Sequence, residues 1–269
     1  MAAPPVTENP WQALRRFTAA RIALGRAGVS QPTAVQLNFQ LAHAQARDAV
    51  HRVLDGEALG AALATLPGLA PALMLHSAAA DRATYLQRPD LGRQLDSASR
   101  AALAAAAAAA ARAAPPDLAF VIADGLSALA VEQHAAPLLA ALLARLRQDG
   151  WAVAPPVIVR QGRVAIGDEV GQLLGARAVV VLVGERPGLS SPDSMGLYLT
   201  WQPRVGLRDA SRNCISNVRP AGLAYPAAAH LLHHLLSEAR RRGLSGVALK
   251  DDTDASRSLV QAPATRFLL

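Results

Sequence analysis

The 269-residue sequence contains one cysteine, Cys214, and only 4% of its residues are aromatic. A single cysteine excludes an internal disulfide bond and any metal site that is built from several thiolates. The scarcity of aromatic rings leaves few surfaces on which nucleotide bases would stack. These two absences argue against a disulfide-stabilised scaffold, a multi-cysteine metal protein and a stacking type of nucleic-acid-binding protein.

Lysine is almost absent too, since Lys250 is the only one, although the formal net charge is +7. Arginine therefore carries nearly all of the positive charge, and the arginines are scattered along the chain. Together with the abundance of alanine, this bias is typical of GC-rich coding sequences. We therefore expect no nucleic-acid partner, despite the positive charge.

The sequence also lacks a run of about twenty apolar residues without charge or proline, so we expect no membrane span. The alanine-rich stretch 103–114 follows Arg100 and contains Arg112, and alanine favours a helix there. Residues 1–11 contain no basic region followed by an apolar stretch, as a secretory signal would. We expect a cytoplasmic protein, and the hydrophobic content of 52% is enough for a folded core.

The N-terminal part of the chain has helical periodicity. Apolar residues recur at helical spacing in 10–27, and a second amphipathic helix is predicted at 33–54, after a break at 28–32. We therefore predict an N-terminal helical segment at 1–66 that contains a helical hairpin. A main domain follows at 67–250, and residues 251–269 form a polar C-terminal tail.

In the main domain, short apolar runs alternate with segments of helical period, as in a mostly parallel sheet covered by helices. We predict strands at 72–75, 118–123, 152–160, 178–183 and 197–201. Helices are predicted at 91–112, 126–148, 168–174 and 226–242. The expected fold is α/β, with a Rossmann-like, mostly parallel sheet flanked by helices and preceded by the helical hairpin.

Several common catalytic motifs are missing. The sequence contains no GxGxxG, Walker or GxSxG pattern, which argues against nicotinamide or nucleoside triphosphate binding and against a serine nucleophile. His230, His233 and His234 have helical spacing, but no acidic residue completes an HExxH pattern. We interpret these histidines as part of a solvated helix face.

Three junctions place polar residues where ligands bind in an open α/β sheet, beyond the carboxyl ends of strands. At the first, Asp124 and Gly125 follow a predicted strand, so Asp124 either accepts a hydrogen bond from a ligand or belongs to an ordinary helix cap. At the second, Glu185 begins a loop that Pro187 and Pro192 stiffen. Its carboxylate either forms an ion pair with an arginine or accepts hydrogen bonds from amides of a large ligand.

The third junction, 213–220, surrounds Cys214 with polar side chains and has no clear helical or strand period. A lone cysteine is usually a buried apolar residue. A catalytic thiol would need a nearby histidine or helix N-terminus to lower its pKa. Both interpretations of Cys214 stay open at this point.

In combination, these segments resemble one protein family. The matching strings are ARIALG at 20–25, FQLAHAQARDAVH at 39–51, DGLSA at 124–128, GERPGL at 184–189 and CISN at 214–217. They are similar, in this order, to strings of the small subunit of ethanolamine ammonia-lyase. The resemblance extends from about Pro10 to Lys250, which is nearly the whole chain.

This resemblance implies a function, a cofactor and partners. Family members convert ethanolamine to acetaldehyde and ammonia by radical chemistry that adenosylcobalamin supplies, as a carbon-nitrogen lyase active only with a large subunit. Ethanolamine would be bound mainly by the large subunit, and the domain at 67–250 would contact the cofactor. The assembly would lie in the cytoplasm, either free or within a bacterial microcompartment.

The resemblance also implies specific contacts. The cobalamin-binding positions of the family correspond to Val164, Glu185 and Cys214 in this sequence. None of the three has to be a catalyst or a metal ligand. Because the sequence has no DxHxxG motif, which gives a histidine to cobalt in other cobalamin domains, we expect the cofactor's own base to stay as the lower ligand. Two other functions remain open: a stand-alone Rossmann-like enzyme for a small molecule, and a structural partner that never touches the cofactor.

Overall fold

A computed structural model describes residues 6–110 and 114–250. This part of the chain forms six strands and seven α-helices. The strands are β1 Leu73–His76, β2 Leu118–Ala123, β3 Val157–Arg160, β4 Ala178–Gly184, β5 Met195–Trp201 and β6 Arg212–Val218. The helices are α1 Thr33–His51, α2 Gly56–Ala64, α3 Arg82–Gln87, α4 Ser97–Ala110, α5 Ala128–Gln148, α6 Ile166–Leu173 and α7 Tyr225–Arg242. Short 3-10 helices lie at Pro10–Phe17, Leu91–Arg93, Asp209–Ser211 and Gly246–Ala248.

The six strands form one sheet in the order β1-β3-β2-β4-β5-β6. The first four strands are parallel, whereas β5 is antiparallel to both β4 and β6. The predicted α/β class is therefore confirmed. The sheet is mixed, so the Rossmann-like parallel arrangement is not confirmed.

Strands β2 and β4 lie at the centre of this sheet, and every residue in both is buried. Their sequences, LAFVIA and AVVVLVG, are continuous apolar runs because helices cover both faces. On one face, α5 and α7 pack over the sheet through residues such as Leu139 and Leu236. On the other face, α4 and α6 contribute residues such as Leu103 and Val170.

One part of the second face stays open. On the α6 side of β5 and β6, Tyr198 is half-buried, and Cys214 and Ser216 are exposed. The opposite side of the same strands is closed, because Leu197 and Ile215 belong to the core beneath α7. We call the surface formed by Gly196, Tyr198, Cys214 and Ser216 the open sheet face.

The predicted helix at 10–27 is wrong. Only Pro10–Phe17 is helical, as a 3-10 helix, and the chain is extended at Thr18. Residue Gly25 has a φ of +77°, and Thr7 pairs with Arg26 through backbone hydrogen bonds of 2.7 and 2.9 Å, which a continuous helix would not allow. The N-terminal hairpin is therefore not formed, although the second helix is confirmed as α1.

Other boundaries also differ from the expectations. The predicted strand at 152–160 is restricted to β3, because Pro155 and Pro156 cannot donate hydrogen bonds to a ladder. The predicted helix at 91–112 is divided into the 3-10 helix at Leu91–Arg93 and α4, and its last two residues lie outside the described ranges. Residues 251–269, the predicted tail, lie outside them as well. No helix in the described ranges is long and apolar enough to cross a membrane.

Candidate functional site

The loops that follow β2, β3 and β4 meet at one edge of the sheet, since the carboxyl ends of parallel strands point the same way. They surround an open depression of about 410 Å³ that continues onto the open sheet face at Tyr198. Its lining includes Tyr85, Gly125, Arg163, Val164, Glu185, Arg186 and Tyr198. Val164 and Glu185, two of the three residues that the resemblance implied, thus line the same depression.

Glu185 is the first residue after β4, and its side chain lies against β5. The Ser194 hydroxyl donates a hydrogen bond to its carboxylate, and the backbone N–H of Asn217 lies 3.3 Å from Oε2. Gly196 makes this position possible, because a Cβ at that residue would lie 3.0 Å from Oε1 of Glu185. Within the described ranges, no cation lies within ion-pair distance of the carboxylate, so the proposed pair with Arg186 is not formed.

Cys214 lies on the open sheet face. It is exposed, so it is not a buried apolar residue, and its Sγ is 3.3 Å from the Ser216 hydroxyl. In the sheet register it stands opposite Tyr198, which places both side chains next to each other on one face. Burial and the neighbouring Cys214 raise the pKa of Tyr198 above its ordinary value. Neither polar neighbour is a base that would generate a thiolate.

Val164 is half-buried in the loop that joins β3 to α6 and packs partly against the core. The buried Asp124 holds this loop, because its carboxylate accepts hydrogen bonds of 3.0 Å from the backbone N–H groups of both Gln161 and Gly162. Burial raises the pKa of Asp124, whereas these two N–H groups and Arg82, 3.8 Å away, oppose the shift. Asp124 is therefore a positioning residue for the loop.

Asp124 was expected either to accept a hydrogen bond from a ligand or to belong to a helix cap, and neither expectation fully describes its contacts. The side chain that caps α5 belongs to Ser127, whose hydroxyl accepts a hydrogen bond from Ala130 N–H. Gly125 has a φ of +57°, and a Cβ there would lie 2.3 Å from the Gly184 carbonyl oxygen. The glycine therefore allows the loop after β2 to approach the end of β4.

Sequence reasoning did not single out Tyr85, Arg163 or Tyr198. Tyr85 is 1% exposed and its ring contacts two guanidinium groups, with the Cζ of Arg82 at 4.6 Å and that of Arg163 at 4.4 Å from its ring centroid. Burial raises its pKa to about 12. Only Tyr198 had a sequence indication, as it lies inside a predicted strand.

The helical histidines do not form a metal site. His233 Nε2 is 2.7 Å from a carboxylate oxygen of Asp149, and His230 lies 3.3 Å from a guanidinium nitrogen of Arg145. No group of three or more histidine, cysteine, aspartate or glutamate side chains in 6–110 and 114–250 is arranged to hold a metal ion. Sequence analysis also passed over His134, which is buried and lies 2.8 Å from the Tyr225 hydroxyl.

Comparisons with known proteins agree on one family. The family model described as ethanolamine ammonia-lyase light chain (EutC) matches residues 8–250. The chain is 62% identical over 264 residues to a Ralstonia nicotianae protein named ethanolamine ammonia-lyase small subunit, which covers 98% of this chain and 96% of the relative. Proteins of the same name from Azotobacter vinelandii and Pseudomonas putida are 62% and 59% identical, over 94% and 93% of this chain and 92% and 90% of their own lengths. The chain therefore belongs to the family of ethanolamine ammonia-lyase light chains.

Proposed function

We propose that this chain is the small subunit of an adenosylcobalamin-dependent ethanolamine ammonia-lyase, a carbon-nitrogen lyase that converts ethanolamine to acetaldehyde and ammonia. We further propose that Val164, Glu185 and Cys214 contact the cofactor. The observation that carries the proposal is their convergence. Val164 and Glu185 line one depression, which also reaches Tyr198, and Cys214 stands beside Tyr198 on the open sheet face.

The chemistry of these side chains fits a corrin. The ring is wide and flat, and its rim carries neutral amides that donate hydrogen bonds. A Glu185 carboxylate without a cationic partner in the described ranges has acceptor sites left for such amides. Tyr198 offers the face of an aromatic ring, and Val164 and Cys214 offer small apolar surfaces. The residues that line the depression do not include a histidine, which is the residue that other cobalamin domains give to cobalt.

When bound, adenosylcobalamin supplies the radical chemistry, and the protein supplies position, electrostatics and exclusion of water. For this chain, we assign Glu185 to holding the rim of the ring through its amides. Asp124 keeps Val164 in place by fixing the loop after β3. The half-buried Tyr198 keeps water away from one side of the ligand.

The openness of the site supports a role for the large subunit. A planar ligand on the open sheet face would be covered on one side only, because Cys214 and Ser216 are exposed. A second chain would have to cover the other side. Exposed large apolar side chains such as Trp11, Leu37 and Leu41 are also typical of a protein that binds another one. We therefore propose that lyase activity needs the large subunit, which would supply most of the contacts to ethanolamine.

The alternative of a stand-alone small-molecule enzyme is less consistent with the geometry. It would use Asp124, Glu185 and Cys214 as catalytic residues. Asp124, however, is 2% exposed, and both of its oxygens accept backbone hydrogen bonds. The domain boundaries at residues 66 and 250 and a cytoplasmic location, inside or outside a microcompartment, stay predictions.

Reconstitution tests the proposed function. The chain alone, the cognate large subunit alone and their mixture are each incubated with adenosylcobalamin and ethanolamine, and acetaldehyde is measured. We expect acetaldehyde only from the mixture. Turnover by this chain alone would favour the stand-alone enzyme, and full turnover by the large subunit alone would favour a purely structural partner.

A further inference from the structure

We propose that Arg163 and Arg186 form an anion site that holds the phosphodiester of the cofactor's nucleotide loop. The inference rests on the proposed function and adds a subsite to it. Both arginines line the depression that contains Val164 and Glu185. They follow two different strands, Arg163 after β3 and Arg186 after β4, so that the fold brings together two cations that are distant in sequence.

Arg163 is held in place without a counter-ion. One guanidinium nitrogen, Nη2, donates to the Tyr85 carbonyl oxygen at 2.9 Å, and the group stacks on the Tyr85 ring. Its Nε is buried and has no hydrogen-bond partner. No carboxylate of the described residues lies within 4.0 Å of this guanidinium. A half-buried cation without a counter-ion is costly, and an incoming anion would reduce that cost.

Neither carboxylate at the depression, Asp124 or Glu185, forms an ion pair with Arg163 or Arg186. Asp124 accepts from two backbone N–H groups and lies 3.8 Å from Arg82. Glu185 accepts from Ser194 and lies against the backbone N–H of Asn217. Arg186 is exposed and has no ion pair with any residue in the described ranges. The depression therefore has two cations available for a ligand.

Cobalamin has one group that matches this charge. Its corrin rim carries neutral amides, whereas the nucleotide loop contains a single anionic phosphodiester. Guanidinium groups bind phosphate oxygens through charge-assisted hydrogen bonds, and Arg163 is preorganised for this by its stacking on Tyr85. Free phosphate has the same chemistry, so the test has to separate the two sources.

The test compares two corrinoids that differ in this group. Cyanocobalamin contains the nucleotide loop, and dicyanocobinamide lacks both the nucleotide and its phosphodiester. Both are titrated, by absorbance, onto the complex of this chain with its large subunit. We expect Arg163→Gln and Arg186→Gln each to raise the dissociation constant of cyanocobalamin roughly tenfold, a change of about 1.4 kcal/mol. The dissociation constant of dicyanocobinamide should stay within about twofold, since it forms no contact with the arginines in this proposal.

Arg177→Gln is the matched control. Arg177 directly precedes β4, so it lies at the opposite end of the strand that leads to Arg186, and it is 3.3 Å from Asp117. Arg177→Gln should change the binding of neither corrinoid.

Arg186 makes no hydrogen bond with any other described residue. The Arg186→Gln variant should therefore fold even if loss of the stack on Tyr85 destabilises Arg163→Gln.

Competition with inorganic phosphate, at constant ionic strength, tests whether the arginines bind the phosphodiester of cyanocobalamin. Phosphate should weaken cyanocobalamin binding and leave dicyanocobinamide binding unchanged. No competition, or equal losses for both corrinoids in the two arginine variants, would overturn the inference. Weaker assembly without a change in corrinoid preference would also overturn it, because the arginines would then support subunit contact and not phosphodiester binding. If the wild-type complex binds neither corrinoid, the proposed function itself fails.

Discussion

Replacing Glu185 by glutamine tests the residue that we assign to the corrin rim. The change keeps the size of the side chain and one acceptor oxygen, but it removes the charge and introduces an amide donor. In the structure the carboxylate accepts from Ser194 and lies 3.3 Å from Asn217 N–H, so its remaining lone pairs are those available to a ligand. The substitution therefore changes two sets of contacts: those with Ser194 and Asn217, and those with the corrin amides.

The two effects have different sizes. The Ser194 hydroxyl can rotate towards the new carbonyl oxygen, so the local loss is the difference between a charged and a neutral hydrogen bond, about 1 kcal/mol. At the ligand, one corrin amide would face a donor in a site that the large subunit would close to water, which costs about 1 to 3 kcal/mol. We expect the dissociation constant of adenosylcobalamin to rise roughly tenfold, or about 1.4 kcal/mol. Affinity for ethanolamine should change little.

The assay is an equilibrium titration of the assembled enzyme, with thermal unfolding measured in parallel. Glu132→Gln is the control, because Glu132 also accepts from one backbone N–H, that of Asp55, and from one side chain, that of Arg52. This variant should be less stable and should bind the cofactor normally. If Glu185→Gln behaves in the same way, with lower stability and unaltered cofactor affinity, Glu185 is a local structural residue and our reasoning is wrong.

Three further predictions concern the thiol, the buried phenol and the glycine of the site. Cys214→Ala should weaken cofactor binding in the assembled enzyme and retain turnover at saturating cofactor, because no neighbour generates a thiolate. Complete loss of turnover at normal cofactor occupancy would instead show that the thiol takes part in the chemistry. Burial raises the pKa of Tyr85 from 10.0 to about 12, so its neutral form stabilises the fold below pH 10, and this contribution is lost as the pH rises towards 12. Urea unfolding should show that the wild type loses about 2 to 3 kcal/mol more than Tyr85→Phe over this range, whereas parallel losses would contradict the assignment. Gly125→Ala should lower the free energy of unfolding by more than about 2 kcal/mol, since a Cβ would lie 2.3 Å from the Gly184 carbonyl oxygen at a φ of +57°. An unchanged urea midpoint would show that the loop relaxes without cost.

The central strands were predictable because helices bury both of their faces, so that their sequences are continuous apolar runs. The predicted strand at 118–123 is confirmed without change as β2, and β4 extends its prediction by one residue. Strand β6 was missed because its buried apolar residues, Ile215 and Val218, are three positions apart on either side of a register shift against β5, so the segment has no strand period. Its place in the sheet depends on pairing with β5, which no local pattern reveals.

The helix predicted at 10–27 was wrong because its apolar residues are not part of the core. Its apolar residues have helical spacing, but none of the residues from Pro10 to Phe17 is buried. The periodicity therefore does not reflect a core face. Sequence patterns cannot distinguish an apolar stripe that packs inside the chain from one that stays on its surface.

The candidate site could be predicted only in part from the sequence, because it also depends on the sheet topology. The ends of β3 and β4 were expected near Val164 and Glu185, so the position of these two residues at one sheet edge was partly predictable. The position of Cys214 beside Tyr198 was not, because it requires β6 and its register. The resemblance supplied the three residues, and the topology explains how they lie near one another.

Hydrogen exchange on the assembled enzyme, with and without cyanocobalamin, tests most directly whether the open sheet face and its adjoining depression form the cofactor site. Both states contain the large subunit, so any protection that arises from subunit contact cancels in the comparison. We predict that cyanocobalamin slows exchange in three segments of this chain: 161–165, 185–196 and 212–218. Unchanged exchange in all three segments, at saturating cyanocobalamin that binds the assembly, would contradict the account.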